Sequence, residues 1–247
     1  MEAPERALRI TPDMLLGRRL DFERRMRRLP PATLGILAAL VVVFAAEAAT
    51  GALGSAAGVI RAGALTRAGV VSGEWWRLVS AIVLHGSVEH LVGNAIALLV
   101  LGMMCEHAFG RVQFLFLFVM SGLAGSVLSM LMSPGPSVGA SGAIFGLQGA
   151  AIVLFRRHRV RLIMRARRIG VVLGVWALYT LAQGAFAPFV DNGADIGGFI
   201  GGALLARGLH PVVLEPPPED VQARIRRQGW LTAAIVAAAA VGWLIRQ

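Results

Sequence analysis

The chain has 247 residues, of which 56% are hydrophobic and only 15% are charged, and its mean hydropathy is +0.69. Soluble domains have on average about 45–50% apolar and about 25% charged residues, so this composition excludes an ordinary soluble domain and predicts an integral membrane protein. The formal net charge is +10, and all 24 residues counted as lysine or arginine are arginines. Cys105 is the only cysteine, which excludes an intramolecular disulfide and a zinc-binding cysteine cluster. No metal or cofactor is expected.

Residues 1–30 carry eight arginines and five acidic residues without an apolar core. A cleavable signal peptide needs such a core, so this segment is predicted to be a basic cytoplasmic tail. Residues 31–210 are predicted to form a membrane core of six helices. Residues 211–228, which include three consecutive prolines, are predicted to be a cytoplasmic linker, and residues 229–247 a seventh transmembrane helix.

Seven apolar stretches support that division. A span of the bilayer needs about 20 residues, or somewhat fewer where neighbouring helices share the burial. The predicted spans run from Ala32 to Ala49, Val88 to Cys105, Val112 to Met132, Ser141 to Phe155, Ile169 to Val190, Ala194 to Ala206 and Trp230 to Ile245.

The distribution of arginines predicts the orientation. With a cytoplasmic N-terminus, twenty of the 24 arginines lie in cytoplasmic segments, namely 1–30, 111, 156–168, 207 and 224–227. An excess of positive charge on the cytoplasmic side is the usual rule for membrane proteins. This orientation places the first residues of the fourth and sixth spans at the outer face and the C-terminus outside. It also explains the basic loop at 156–168 by topology, so nucleic acid is not expected as a partner.

Polar side chains inside the spans are candidate functional groups, because they are costly in lipid. His90 and Asn94 are four residues apart in the second span and therefore share one helix face. Two donors on one face can stabilise an oxyanion, or they can form ordinary interhelical hydrogen bonds; the residues alone leave both open. His85 lies at the interface end and is expected to bond loop backbone. Glu106, at the opposite end of this span, is expected to be a loop anchor or an ion-pair partner of Arg111.

The stretch around Ser141 in the fourth span is the strongest candidate site. Ser141 is followed by Gly142 and Gly146, and the sixth span carries Gly198 and Gly202 at the same spacing. Glycines four residues apart form faces along which helix backbones approach closely. If these faces meet, Ser141 and Asp195 lie near each other at the ends of their helices.

Six motifs between Trp75 and Gly208, taken in their order and spacing, resemble the rhomboid intramembrane serine proteases. They are Trp76-Arg77, His85, His90-xxx-Asn94, Gly102-xxx-Glu106-xxx-Gly110, Gly139-Ala-Ser141-Gly and Asp195-Ile-Gly-Gly-xxx-Gly202. The resemblance implies an all-α membrane protein with a rhomboid-like core of six transmembrane helices, to which this chain adds one C-terminal transmembrane helix. It also implies a water-filled active site that opens to the outer face.

The resemblance assigns roles to single residues. It implies that Ser141 is the nucleophile and that its backbone N–H, His90 and Asn94 form the oxyanion hole. It implies that Phe145 lies at the position of an aromatic ring on which the family's catalytic histidine packs. The first loop with Trp76 and Arg77, which composition alone marks as an interfacial aromatic–cation pair, is implied to brace the core in the membrane interface. Gly139, His85, Glu106, Gly198 and Gly202 match supporting positions.

One position departs from the family pattern, because Asp195 stands where the family has the histidine of its serine–histidine dyad. An unperturbed aspartate has a pKa of about 3.9 against about 6.5 for histidine, so it is the weaker base. His210 does not replace it, since it lies about 22 Å further along a helix at 1.5 Å per residue.

Two functions therefore remain open from sequence. One is an intramembrane serine endopeptidase that cleaves transmembrane substrates near the outer face and is impaired by Asp195. The other is an inactive pseudoprotease that binds transmembrane helices of client proteins. A transporter is disfavoured, because no span shows a broken-helix ion site. The expected partners are the lipid bilayer and transmembrane proteins, and the expected location is a bacterial cytoplasmic membrane.

Overall fold

The computed structural model describes Phe22, Met26 and residues 28–133, 135–158 and 191–246. Within these residues the protein is helical, and extended pairing is limited to one isolated bridge. The helices are α1 (Pro31–Ala49), α2 (Ala56–Ala62), α3 (Arg67–Val71), α4 (Arg77–Ser80), α5 (Val88–Phe109), α6 (Arg111–Met132), α7 (Ser141–Arg157), α8 (Asn192–Leu205) and α9 (Glu219–Ile245), with a short 3₁₀ turn at Ala52–Gly54.

The predicted all-helical membrane class is confirmed. Helices α1, α5, α6 and α9 are each long and apolar enough to cross a bilayer. Helices α7 and α8 are shorter, with 17 and 14 residues. The predicted fifth span, Ile169–Val190, lies outside the described residues, so the count of six helices plus one stays a prediction.

The ends of the helices follow local chemistry. Ser87 caps α5 by accepting a hydrogen bond from the backbone N–H of His90 at 3.2 Å. Gly110 separates α5 from α6 in a left-handed conformation, with φ of +79°, which glycine adopts without strain. Ser87 satisfies one of the free N–H groups that every helix N-terminus exposes.

Two structural features fall inside the segments predicted as linker and tail. Helix α9 begins at Glu219, inside the predicted linker 211–228, because acidic residues in its first turn favour a helix N-terminus. The apolar pattern marked only the later part of this helix. Phe22, within the predicted tail 1–30, is buried and packs edge-on against Phe155, with ring centroids 6.0 Å apart.

Helix α8 lies between α6 and α7 and packs more extensively against these two helices than against any other described element. A methyl group at Gly198 would overlap the carbonyl oxygen of Gly142, and one at Gly202 would overlap that of Gly146. The predicted pairing of the two glycine faces is therefore confirmed. The successive contacts advance in the same direction along both helices, so α7 and α8 are parallel and begin at the same end.

Arg77 braces the loop between α1 and α5. Its Nε donates to Glu74 at 2.6 Å, and its Nη1 donates to the backbone carbonyls of Ile60 and Ala64 at 2.7 and 2.8 Å. The guanidinium carbon lies 4.7 Å from the ring centroid of Trp76. Both Trp76 and Arg77 are buried, so this pair ties the loop together from inside.

Glu106 joins α5 to the start of α1. Its carboxylate accepts from the backbone N–H of Ala32 at 3.0 Å and from the backbone N–H and hydroxyl of Thr33, both at 2.8 Å. These contacts supply acceptors to N–H groups that have no partner inside α1. The contact with Arg111 is longer, at 3.9 Å, so the anchoring role expected for Glu106 is the principal one.

Candidate active site

Ser141 is the first residue of α7, and the segment before it is held by backbone pairing. Leu65 and Ser137 form an antiparallel bridge with two hydrogen bonds of 2.9 Å. The N–H of Gly139 donates to the carbonyl of Ala81 at 2.8 Å. As the first residue of a helix, Ser141 has a backbone N–H without an acceptor inside that helix. This N–H is therefore available to a bound group.

Gly139 brings the polar face of α5 to this segment. It has φ of +127°, a conformation that L side chains rarely adopt. A Cβ atom built at Gly139 would lie 2.7 Å from Nε2 of His90 and 3.5 Å from Nδ2 of Asn94. A side chain here would therefore collide with His90. Because Gly139 has no side chain, His90 and Asn94 can both reach the turn that leads into Ser141.

His85 orients Asn94. Its Nδ1 lies 3.3 Å from the carbonyl of Val83, and its Nε2 lies 3.0 Å from Nδ2 of Asn94. These partners assign the proton to Nδ1, so Nε2 accepts a hydrogen bond from the Asn94 amide. The backbone N–H of His85 in turn donates to Oε2 of Glu47 at 3.1 Å. His85 thus bonds the loop backbone, as expected, and also the side chain of Asn94.

Ser141 and Asp195 meet at the shared end of α7 and α8, where the neighbouring residues Gly142 and Ala194 are in close contact and the two side chains lie beside each other. Asp195 is 4% exposed, and its Oδ1 has no hydrogen-bond partner among the described residues. Phe145 is half-buried one turn after Ser141, on the same face of α7. The proximity that the sequence predicted for Ser141 and Asp195 is confirmed, whereas their chemical roles stay predictions.

Asp191 fixes the start of α8, and sequence reasoning missed it. Its carboxylate accepts from the hydroxyls of Ser129 and Ser133 and from the backbone N–H of Ala194. Burial raises the pKa of this loop carboxyl, but these hydrogen bonds and one from Ser137 outweigh burial and hold its pKa below the ordinary value. An aspartate three residues before the N–H that it caps is the sequence signal that could have identified it.

The structure thus gathers a hydroxyl, a carboxylate and several hydrogen-bond donors at one end of the helix bundle. A hydroxyl that lies beside a carboxylate can transfer its proton to that carboxylate. An imidazole, an amide and a free helix N–H beside the hydroxyl can stabilise negative charge on a substrate oxygen. Together these groups suit nucleophilic attack on a carbonyl carbon.

The chain is similar to known proteins over its central region. The family model of the Rhomboid domain matches residues 72–212. Over 140 residues the chain is 40% identical to the Rhomboid protease GluP of Bacillus subtilis. The matched region covers 57% of this chain and 27% of that protein. The chain is 42% identical over 146 residues to the RHOMBOID-like protein 5 of Arabidopsis thaliana, covering 58% and 47%, respectively.

The chain belongs to the rhomboid family, whose members are generally intramembrane serine proteases, and it is an integral membrane protein. It spans between about a quarter and about half of the length of these two curated relatives. The matched region contains the candidate residues from Trp76 to Gly202 described above.

Proposed function

We propose that this protein is a slow intramembrane serine endopeptidase in which Ser141 is the nucleophile and Asp195 its base. The observation that carries the proposal is the position of these two side chains next to each other at the common end of α7 and α8, where Gly142 and Ala194 are in close contact. His90 and Asn94 beside Gly139, together with the backbone N–H of Ser141, are the proposed oxyanion donors.

In the proposed reaction, Asp195 accepts the hydroxyl proton as Oγ of Ser141 attacks the carbonyl carbon of a substrate peptide bond. The carbonyl oxygen becomes an oxyanion that the three donors stabilise. Protonated Asp195 then gives its proton to the leaving amine, and the C–N bond breaks to leave an acyl ester on Ser141. Water attacks this ester and returns a proton through Asp195 to Oγ, which restores both side chains.

The reaction is proposed to be slow, because a carboxylate is a weaker base than an imidazole and reaches less far. Loss of the histidine of a soluble serine protease lowers its turnover by about 10⁶-fold. The proposed substrates are transmembrane proteins that are cut near the outer membrane face, with the N-terminus of this protein in the cytoplasm. The excess of arginine in the predicted cytoplasmic segments supports that orientation.

The direct test of the nucleophile is labelling of the purified protein in detergent with a fluorophosphonate probe. We expect slow labelling that disappears in Ser141→Ala and persists in Ser72→Ala, because Ser72 is exposed and lies in the loop between α3 and α4. The absence of any labelling that depends on Ser141 contradicts the enzymatic proposal.

That outcome favours a second candidate function, an inactive rhomboid that binds transmembrane helices of client proteins. The observation in its favour is that Asp195 occupies the position of the family's dyad histidine. In this case Ser141→Ala retains the same client helices in the membrane as the unmodified protein. The endopeptidase instead accumulates uncut substrate when Ser141 is replaced.

A further inference from the structure

A buried carboxylate outside the candidate active site has no role in the proposed reaction. Glu47 lies two residues before the end of α1, within a predicted membrane span, and is only 3% exposed. Its Oε2 accepts from the backbone N–H of His85, whereas its buried Oε1 has no hydrogen-bond partner among the described residues. An unsatisfied carboxylate oxygen inside a protein is costly, so a ligand that donates to it is favoured.

Glu47 lines a cavity of about 470 Å³ between α1, the loop braced by Arg77, and the C-terminal end of α9. Arg61, an exposed residue of α2, also lines this cavity, and so does Trp243. The indole N–H of Trp243 donates to the carbonyl of Ala62 at 3.1 Å, which fixes α9 beside the loop. The cavity therefore offers one negative and one positive group on otherwise largely apolar walls.

A second cleft adjoins this cavity and is almost entirely apolar. Its walls come from α6, α9 and the loop, and it shares Val43, Ala62, Leu84 and Trp243 with the first cavity. Its volume is about 390 Å³. A charged cavity that shares walls with an apolar cleft between membrane-length helices matches a molecule with a polar head and a hydrocarbon chain.

We infer that the paired cavities bind a phospholipid with a primary-amine headgroup, phosphatidylethanolamine, with its ammonium on Glu47, its phosphate on Arg61 and an acyl chain in the apolar cleft. The ammonium brings N–H donors to the carboxylate of Glu47, which lines the cavity. The guanidinium of Arg61 suits a phosphate, to which arginine can bind through two hydrogen bonds. Because Glu47 also holds the backbone of His85, this lipid would lie next to the residue that orients Asn94.

The amount of phospholipid that the purified protein retains tests this inference directly. The full-length protein is reconstituted into vesicles of equal phosphatidylethanolamine and phosphatidylcholine, extracted into detergent, washed, and analysed for bound lipid by mass spectrometry. Phosphatidylcholine has the same phosphate but a quaternary ammonium without N–H donors. We expect phosphatidylethanolamine to be enriched about tenfold, the change that accompanies one charge-assisted hydrogen bond.

Glu47→Gln should abolish this enrichment, while the exposed Glu89→Gln keeps it. Arg61→Gln should lower the retention of both lipids, and Arg67→Gln, which changes another exposed arginine of the same loop, should leave it unaltered. Arg61 is exposed, so its substitution tests the phosphate contact even where Glu47→Gln fails to fold. Equal retention of the two lipids by the unmodified protein, or undiminished lipid retention in Arg61→Gln, overturns the inference.

Discussion

Two buried carboxylates at opposite ends of the membrane core are satisfied very differently. Glu106 and Asp195 are almost equally shielded, at 5% and 4% exposed. Glu106 accepts three hydrogen bonds of 2.8–3.0 Å from Ala32 and Thr33. Asp195 lies beside Ser141, and its Oδ1 has no hydrogen-bond partner among the described residues.

The difference separates a structural group from a reactive one. A carboxylate whose oxygens are occupied by fixed donors stabilises the helices that carry those donors. A carboxylate with a free oxygen lowers stability and keeps a position open for a proton or a ligand. By this criterion Glu106 is a helix anchor, and Asp195 resembles the acid–base groups of active sites.

The largest expected effect comes from restoring an imidazole at the reactive end. If Asp195 limits catalysis only through its weak basicity, Asp195→His should raise cleavage of a transmembrane substrate by about 10³-fold or more, which is at least about 4 kcal/mol in activation free energy. The measurement is the rate of product formation in proteoliposomes.

The double variant Ser141→Ala/Asp195→His serves as the control and should return cleavage to background. If Asp195→His leaves cleavage undetectable, the chain lacks more than a base. Asp195 and Ser141 would then not form a reactive pair, and this difference between Asp195 and Glu106 would be lost.

A second effect tests the packing that brings the reactive pair together. Gly198→Ala places a methyl group against the carbonyl of Gly142 and should lower the free energy of unfolding by about 3 kcal/mol. Gly35→Ala in α1 is the matched control, because nothing lies within 4 Å of a Cβ there. This control should be neutral or stabilising by up to about 1 kcal/mol, since alanine is the better helix former.

Unfolding in mixed micelles followed by circular dichroism measures both glycine variants. If Gly198→Ala is as stable as Gly35→Ala, close contact between α7 and α8 does not hold Ser141 beside Asp195. A stability loss confined to Gly198→Ala supports the close packing.

The sequence predicted this part of the fold because its signals are local or repeated. Glycines at a spacing of four indicated the pairing of α7 with α8, and His90 and Asn94 could be placed on one face from their spacing alone. The start of α9 at Glu219 was missed, because an apolar pattern does not report the polar turns of a helix that extends beyond the membrane. Residues 159–190 contain the predicted fifth span and lie outside the described residues.

Tertiary contacts explain what sequence analysis could not predict in the site and next to it. Glu47 is an acid in an apolar span, which is a visible signal, but its contact with His85 joins residues 38 positions apart. The partners of Asp191 are Ser129 on α6, which is 62 positions away, and Ser133 just after α6, which is 58 positions away. Spacing rules describe neighbours on one helix, so they cannot identify side chains that meet only when separate helices pack.

The smallest expected effect is on stability: replacing the two carboxylates by alanine should change the free energy of unfolding in opposite directions. Glu106→Ala leaves the buried N–H groups of Ala32 and Thr33 without acceptors and should lower the free energy of unfolding by about 2–3 kcal/mol. Asp195→Ala removes a buried carboxylate with a free oxygen and should raise it by about 1 kcal/mol, as expected where a protein trades stability for reactivity. If chemical unfolding in micelles shows losses of equal size, Asp195 is a structural anchor like Glu106. Changes of opposite sign in the free energy of unfolding support a role for the Asp195 carboxylate in the reaction of Ser141.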